Sequence, residues 1–133
     1  LKEGGRRYHL RLSTVPTVYG ENLVVRLLDQ TMPAQSLDEL GLTSVQAQAM
    51  RDALTGPAGL ILLTGPTGSG KTTTLHAALH ALDHRGRVIH TLEDPVEYEF
   101  TAIRQTEIRE KIGLTFAASL RALLRQNPDV MLV

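Results

Sequence analysis

The sequence has no cysteine and no surplus of charge of either sign. Its 133 residues contain 14 lysines and arginines against 14 aspartates and glutamates. The absence of cysteine excludes disulfides and thiolate metal sites within this stretch, and it fits a reducing compartment. The even balance of charge gives no support to a polyanionic partner such as nucleic acid.

Long apolar runs are missing as well. The longest, such as 60–63, are the length of a strand and far below the roughly 18 residues that a membrane span needs. Arg6 and Arg11 interrupt any apolar region that could serve as a signal peptide. The chain begins at Leu1 rather than at a methionine and stops on the apolar run 130–133, so we expect it to be a piece of a longer protein.

The first 30 residues have the pattern of a β-hairpin. Between residues 8 and 28, aliphatic residues alternate with polar ones, which predicts two strands, with turn residues at 20–22 between them. Residues 29–42 show no steady period and include proline and glycine, so they are interpreted as a linker and a domain boundary.

Strands and helices alternate after this linker, which predicts an α/β fold with a parallel sheet. The expected buried strands are 60–63, 88–92 and 130–133, with a short edge strand near Ile103. Three helices are expected: one from Thr43 to residue 56 and two whose apolar faces recur at helical spacing. The apolar faces predicted for the three helices are Val45, Ala49, Met50 and Ala53; Leu75, Ala78, Leu79 and Leu82; and Phe116, Leu120, Leu123 and Leu124.

A glycine-rich stretch at 65–72 fits the pattern G-x-x-x-x-G-K-[ST] of a phosphate-binding P-loop. Its glycines let successive backbone N–H groups point at phosphate oxygens, and the following helix adds its positive end. Lys71 would reach the β- and γ-phosphates of a nucleotide, and the Thr72 hydroxyl would coordinate Mg²⁺. The alternative is a glycine-rich turn between a strand and a helix. The residues assigned to ATP are Gly65, Pro66, Thr67, Gly68, Ser69, Gly70, Lys71, Thr72 and Thr73.

Acidic residues cluster at 93–97, where the strand 88–92 ends. The carboxyl ends of parallel strands line the ligand crevice, so Glu93 would face the same crevice as the P-loop and could orient or deprotonate a water. The alternative is an acidic surface turn fixed by Pro95.

Other polar residues are less informative by themselves. Arg121 and Arg125 share one helix face, for which exposure to solvent is the usual reason. Arg11 and Arg26 are single arginines on the hairpin strands. Three histidines at i, i+4 and i+8 could chelate a metal, although a solvated helix face is the more economical interpretation. They are His76, His80 and His84.

Four stretches together resemble the ATPases that power type II secretion and type IV pilus extension. They are the hairpin with Leu12-Ser13-Thr14-Val15-Pro16-Thr17, Gly20-Glu21 and Val25-Arg26-Leu27-Leu28; the P-loop; the aspartate box 92–98; and 113–118 leading to 123–129. The resemblance covers about residues 6 to 133. It implies a RecA-like P-loop NTPase domain, incomplete here, over 44–133. A linker over 31–43 and the terminal hairpin of a smaller N-terminal α/β domain over 1–30 would precede it.

The resemblance also implies roles and partners. Glu93 matches the family's aspartate-box glutamate, which acts on the attacking water. Four arginines match residues that these ATPases need for activity, where they stabilise charge on the transferring phosphate. ATP, Mg²⁺, a hexameric ring, partners in the inner-membrane secretion or pilus platform, and a cytoplasmic location peripheral to the inner membrane follow from the same likeness. The arginines are Arg11, Arg26, Arg121 and Arg125.

The family's Walker B glycine and acidic residue, its histidine box and its tetracysteine motif would all lie beyond Val133. We therefore expect this stretch alone to lack ATPase activity. The alternatives are a pilus retraction ATPase, a RecA-like nucleic-acid translocase, and a nucleotide-binding regulator without turnover. Neutral charge and the lack of interleaved aromatic and basic residues weigh against the translocase.

Overall fold

A computed structural model describes residues 2–3, 6–29, 36–82 and 84–133. Two groups of elements follow one another along the chain. The first is an antiparallel sheet of β1 (Lys2–Glu3), β2 (Arg6–Thr17) and β3 (Gly20–Asp29). The second contains α1 (Ser44–Thr55), α2 (Lys71–Ala81), β4 (Ile89–Glu93), β5 (Arg104–Glu107), α3 (Phe116–Leu124), β6 (Val130–Leu132) and two 3₁₀ helices, Leu37–Leu40 and Glu110–Ile112.

The predicted hairpin is confirmed, but its turn lies earlier than predicted. Thr17 pairs with Gly20, so the loop consists of Val18 and Tyr19 rather than residues 20–22. The Thr17 hydroxyl donates to the Gly20 carbonyl at 2.7 Å and accepts from the Tyr19 N–H at 3.3 Å. Gly20 itself has a φ of 125°, a conformation that favours glycine, and it begins β3.

Strand register separates the two faces of the hairpin. Leu10 pairs with Leu27 and Leu12 with Val25, which places these aliphatic side chains on one face. Arg11 lies directly opposite Arg26, on the other face, as the alternation predicts. These four aliphatic side chains are exposed to solvent, and so are both arginines.

The second sheet is parallel, as predicted, with the order β5-β4-β6. Its central strand β4 is buried along its whole length. Ile89 packs with residues of α2 and of the loop before β5, whereas Leu92 packs with Ile108 and with Leu123 of α3. Helices therefore cover both faces of β4, which explains why all five of its residues are buried.

The strand predicted at 60–63 is not formed. Leu60 is 82% exposed and Leu62 is 74% exposed, and no described residue pairs with this segment in a ladder. The backbone of a strand needs a hydrogen-bonded neighbour, and the described sheet ends at β6 on one side and at β5 on the other. An apolar run of this length is typical of a buried strand, but the run itself does not specify which strand it would pair with.

The predicted helices are confirmed, and two of their buried faces are corrected. The Thr43 side chain accepts from the Gln46 N–H at 3.3 Å, and the Gln46 side chain accepts from the Thr43 N–H at 2.9 Å, which forms the expected capping box. Of the predicted stripe of α1, only Met50 is turned inward, together with Ala47 and Leu54. The other three predicted residues, Val45, Ala49 and Ala53, are exposed.

In α3, likewise, the predicted stripe is only partly correct. Ser119 and Leu123 are buried, whereas Phe116 is 41% and Leu124 is 58% exposed. Ser119 and Leu123 lie one turn apart and face the strands, and Leu120 beside them is half-buried and packs against Leu92 and its neighbours.

The predicted linker contains regular structure in its second half. Residues 31–35 lie outside the described residues. Ser36 begins the 3₁₀ helix Leu37–Leu40, whose Leu37 is 3% exposed and which contacts α1 and α2. These residues pack with the second group of elements. No helix among the described residues is long and apolar enough to cross a membrane.

Candidate nucleotide site

Three glycines shape the loop that leads into α2. Gly68 and Gly70 have φ values of 78° and 88°, and Gly65 has a φ of 158°. Side chains strongly disfavour the left-handed conformations of Gly68 and Gly70. Gly70 is also the N-cap of α2, so the loop passes directly into the positive end of an eleven-residue helix. The structure thus gives this stretch the curled backbone and the helix start that anion binding requires.

The loop is tightest between Gly65 and Ser69. A Cβ atom added at Gly65 would lie 2.6 Å from the Ser69 Oγ and 3.2 Å from the Ser69 Cβ. The Ser69 N–H also donates to the Pro66 carbonyl at 3.3 Å, which closes a turn within the loop. The residue type at position 65 is therefore set by space as well as by backbone conformation.

Lys71 lies along the inside of the loop. Its Nζ donates to the Gly65 carbonyl and to the Pro66 carbonyl, both at 2.8 Å. The ammonium group has three donors, so these two contacts hold the charge against the glycine-rich backbone and leave one N–H for another acceptor. Thr72 and Thr73 follow in the first turn of α2 and are exposed, as is Thr67 in the loop. Backbone curvature, a cation and exposed hydroxyls are the features that bind phosphate and Mg²⁺.

Glu93 ends β4 and is 9% exposed, on the face of the strand that meets α2. Its Oε1 accepts from the Thr91 hydroxyl at 2.5 Å and from the Gln105 Nε2 at 3.0 Å. Its Oε2 lies 3.7 Å from the His76 Nε2, which is a close polar contact rather than a hydrogen bond. Oε2 is thus the oxygen with capacity left for a further donor such as water.

Two opposing effects set the charge of Glu93. Burial raises the pKa of its carboxyl, but the imidazole of His76, the Thr91 hydroxyl and the Gln105 amide together lower the pKa further than burial raises it. The net direction is downward, so the carboxylate is ionised at neutral pH. The alternative of an acidic surface turn does not describe Glu93, although Pro95 does follow a cis peptide bond within the same segment.

The prediction that the three histidines at i, i+4 and i+8 lie on a solvated helix face is wrong for the first of them, His76. His76 was predicted on a solvated helix face, but it is 3% exposed and packs edge-on against Tyr98 at 5.0 Å and Phe100 at 5.4 Å between ring centroids. His80 is exposed, as predicted. No three acidic, histidine or cysteine side chains are grouped as a metal site within the part of the chain that the structure describes.

Contacts to Glu93 also identify residues that the sequence interpretation missed. Thr91 precedes Glu93 by two positions, and the period of a strand puts both side chains on one face. The sequence alone could therefore have predicted that Thr91 lies beside Glu93. His76 recurs with Leu79 at the spacing of a buried helix face, which was a weaker signal. Gln105 had no local signal, because its role depends on the pairing of β5 with β4.

The predicted site residues fall into two groups. Glu93 and the P-loop are linked through α2, since the helix that begins at Lys71 carries His76. The predicted arginines are instead exposed on the hairpin, on α3 and at its C-cap, and no ion pair joins any of them to Glu93 within the described residues. These arginines are Arg11, Arg26, Arg121 and Arg125.

A parallel sheet, a glycine loop with a lysine at a helix start, and a buried carboxylate at the end of the central strand define a RecA-like P-loop α/β fold. The family model described as type II/IV secretion system protein matches residues 1–133, and the chain belongs to this family. It is 50% identical over all of its 133 residues to type II secretion system protein E of Klebsiella pneumoniae and 46% identical to type II secretion system ATPase E of Vibrio cholerae. The chain spans 27% and 26% of the length of these two relatives.

Solved structures show the same fold. The Legionella pneumophila ATPase DotB is similar over 98% of this chain and 37% of its own, with a TM-score of 0.75 and 23% identity. The pilus retraction motor PilT, solved with bound ADP, is similar over 92% of this chain and 39% of its own, with a TM-score of 0.68 and 28% identity. The fold expected from the sequence is thereby confirmed.

A side chain at position 65 would collide with Ser69 inside the loop. Gly65→Ala in the full-length protein should weaken nucleotide binding by about tenfold or more, because about 1–3 kcal/mol of strain would distort the loop. Gly59→Ala is the matched control, since a Cβ there meets nothing within 4 Å. Binding is measured by titration with a fluorescent ATP analogue. Equal affinities for the two variants would contradict the assigned loop geometry.

Proposed function

We propose that this chain is the phosphate-binding part of an ATP-hydrolysing motor subunit that powers pseudopilus or pilus assembly in type II secretion or type IV pilus systems. The observation that carries the proposal is the loop at 65–72, with three glycines at positive φ and the Lys71 ammonium inside it. The relatives' names, type II secretion system protein E and ATPase E, support the same activity.

ATP is the proposed substrate and Mg²⁺ the proposed metal. The N–H groups of the loop and of the first turn of α2 would bind phosphate oxygens, and Lys71 would exchange its two carbonyl contacts for contacts with the β- and γ-phosphates. The exposed Thr72 hydroxyl would hold Mg²⁺. The metal ion neutralises the charge that develops on the phosphates during transfer.

Glu93 is the proposed acceptor of the proton from the attacking water. Its lowered pKa keeps it ionised, and its Oε2 has capacity for a water that Oε1 lacks. Because the side chain is 9% exposed, only a small number of waters can reach it at once. A carboxylate that is this far buried would orient a water held beside Oε2.

The hairpin arginines are proposed to meet the γ-phosphate across a domain or subunit boundary. Arg11 and Arg26 are direct cross-strand neighbours, whose Cβ atoms in such pairs lie about 4.5–5.5 Å apart. Two like charges at that separation destabilise the hairpin unless an anion lies near them. Loss of the γ-phosphate on hydrolysis would remove that anion and couple chemistry to domain movement. Arg121 and Arg125 are proposed to stabilise charge on the transferring phosphate in the same way.

The remaining features of the proposal concern assembly and location. We infer a homo-oligomer, a hexameric ring by resemblance, that is cytoplasmic and peripheral at the inner membrane and works with secretion or pilus platform proteins. The higher identity to the type II secretion relatives, 46–50%, than to the retraction motor PilT, 28%, favours assembly over retraction. No nucleic-acid partner is expected, in keeping with the net charge of zero.

Two substitutions in the full-length protein separate binding from chemistry. Lys71→Ala should weaken ATP binding and abolish turnover, because it removes the cation at the phosphates. Glu93→Gln should leave ATP affinity within about twofold and reduce turnover by about 10²-fold or more, because an amide cannot accept the proton. Affinity and steady-state hydrolysis are measured for both. Unchanged turnover in Lys71→Ala would contradict the assignment of the P-loop. A joint loss of binding and turnover in Glu93→Gln would show that Glu93 has a structural role instead.

Mixed rings test whether the hairpin arginines act on a neighbour. Arg26→Ala should reduce turnover by about 10³-fold or more, in the range of arginine fingers, while ATP affinity changes little. Arg26→Ala subunits are then combined with Lys71→Ala subunits, each inactive alone. If Arg26 serves the adjacent site, mixed rings regain part of the turnover. No recovery, in rings whose mixed composition is established by native mass spectrometry, would confine Arg26 to its own subunit.

A further inference from the structure

Gln105 uses its whole side-chain amide to join three parts of the site. Its Oε1 accepts from the Phe100 N–H at 2.7 Å, and its Nε2 donates to the Tyr98 carbonyl at 2.8 Å and to the Glu93 Oε1 at 3.0 Å. Gln105 lies on β5 beside β4, in register with Thr91, whose hydroxyl donates to the same oxygen of Glu93. One amide therefore satisfies a backbone donor, a backbone acceptor and the carboxylate.

The chemistry of these contacts requires a primary amide. The Phe100 N–H needs an acceptor, while the Tyr98 carbonyl and the Glu93 carboxylate need donors. A carboxylate at position 105 could serve Phe100 only, and an aliphatic side chain could serve none of the three. The loop between β4 and β5, which includes the aspartate box, is thus connected to Glu93 through one residue.

We propose that Gln105 is a positioning residue that fixes Oε1 of Glu93, so that Oε2 alone is presented to the reacting water. The inference rests on the proposed role of Glu93 in hydrolysis. With Oε1 held by Gln105 and Thr91, the carboxylate cannot rotate without breaking two hydrogen bonds. A base held in one orientation keeps its geometry through the catalytic cycle.

Several polar groups lie around Glu93, and together they determine how a substitution at Gln105 changes the pKa of its carboxyl. His76 approaches from α2, and Thr91 lies on the same strand. On β5, Glu107 is the register neighbour of Glu93, and its carboxylate is paired with Arg109 at 3.0 Å. The ring of Tyr98 packs edge-on against His76. A carboxylate at position 105 would add a like charge at the contact with Oε1, which raises the pKa of Glu93.

Gln105→Glu and Gln105→Leu separate positioning from support of the loop. Hydrogen exchange of the Phe100 amide in the full-length protein reports the loop. Gln105→Glu keeps the acceptor for this N–H and should keep its protection, whereas Gln105→Leu removes the acceptor and should speed exchange by about fivefold or more. Loss of protection in Gln105→Glu as well would show that the substitution disrupts the loop, and it would overturn the division of roles proposed here.

The pH dependence of turnover reports the carboxylate. In the wild type, the acid limb that belongs to Glu93 should lie below pH 4.5, the ordinary value from which its pKa is lowered. In Gln105→Glu, the added like charge should raise the pKa of Glu93, so that the acid limb moves upward by about one pH unit or more relative to the wild type. A merely structural role would lower turnover equally at all pH values. Gln48→Glu is the matched control, because Gln48 is exposed on α1 and its side chain donates to Asp52 at 2.8 Å, away from Glu93.

A failure of the inference about Gln105 can be distinguished from a failure of the proposed role of Glu93. If Glu93→Gln is inactive and the acid limb of Gln105→Glu stays at the wild-type position, Gln105 does not position the base and the inference is overturned, while the proposed function stands. If Glu93→Gln retains wild-type turnover, the proposed role of Glu93 fails, and the inference about Gln105 fails with it. A shifted limb with an inactive Glu93→Gln supports both.

Discussion

The burial of one carboxylate constrains the arrangement of the whole second group of elements. A desolvated charge is costly unless polar groups compensate it, and Glu93 is 9% exposed. The compensation comes from different elements: Thr91 from β4 itself, Gln105 from β5 and His76 from α2. Strand pairing, helix packing and the conformation of the loop before β5 must all be correct for these contacts to form together.

The helix α2 connects this carboxylate to the phosphate loop. Lys71 stands at its first position and His76 five residues later, about 7.5 Å further along the axis at 1.5 Å per residue. A displacement of α2 on nucleotide binding would therefore reach Oε2 of Glu93 through His76. The same helix presents its positive end to the proposed phosphate site and a buried imidazole to the proposed base, so the proposed binding and chemistry share one element.

Local signals in the sequence predicted more of this fold than non-local ones. The capping box at Thr43 and the helix start at Gly70 depend on neighbouring residues, and both were predicted correctly. The segment 60–63 was wrong because a strand needs a partner that an apolar run does not specify. The burial of His76 and the amide contacts of Gln105 depend on packing between elements distant in sequence, and no periodic pattern encodes that.

The most direct test of this account is a structure of the full-length protein with a non-hydrolysable ATP analogue and Mg²⁺. The account predicts phosphates at the amino end of α2, with the Lys71 Nζ moved from the carbonyls of Gly65 and Pro66 to phosphate oxygens and with Glu93 still hydrogen-bonded to Gln105. An analogue bound elsewhere, with Lys71 still on those carbonyls, would contradict it.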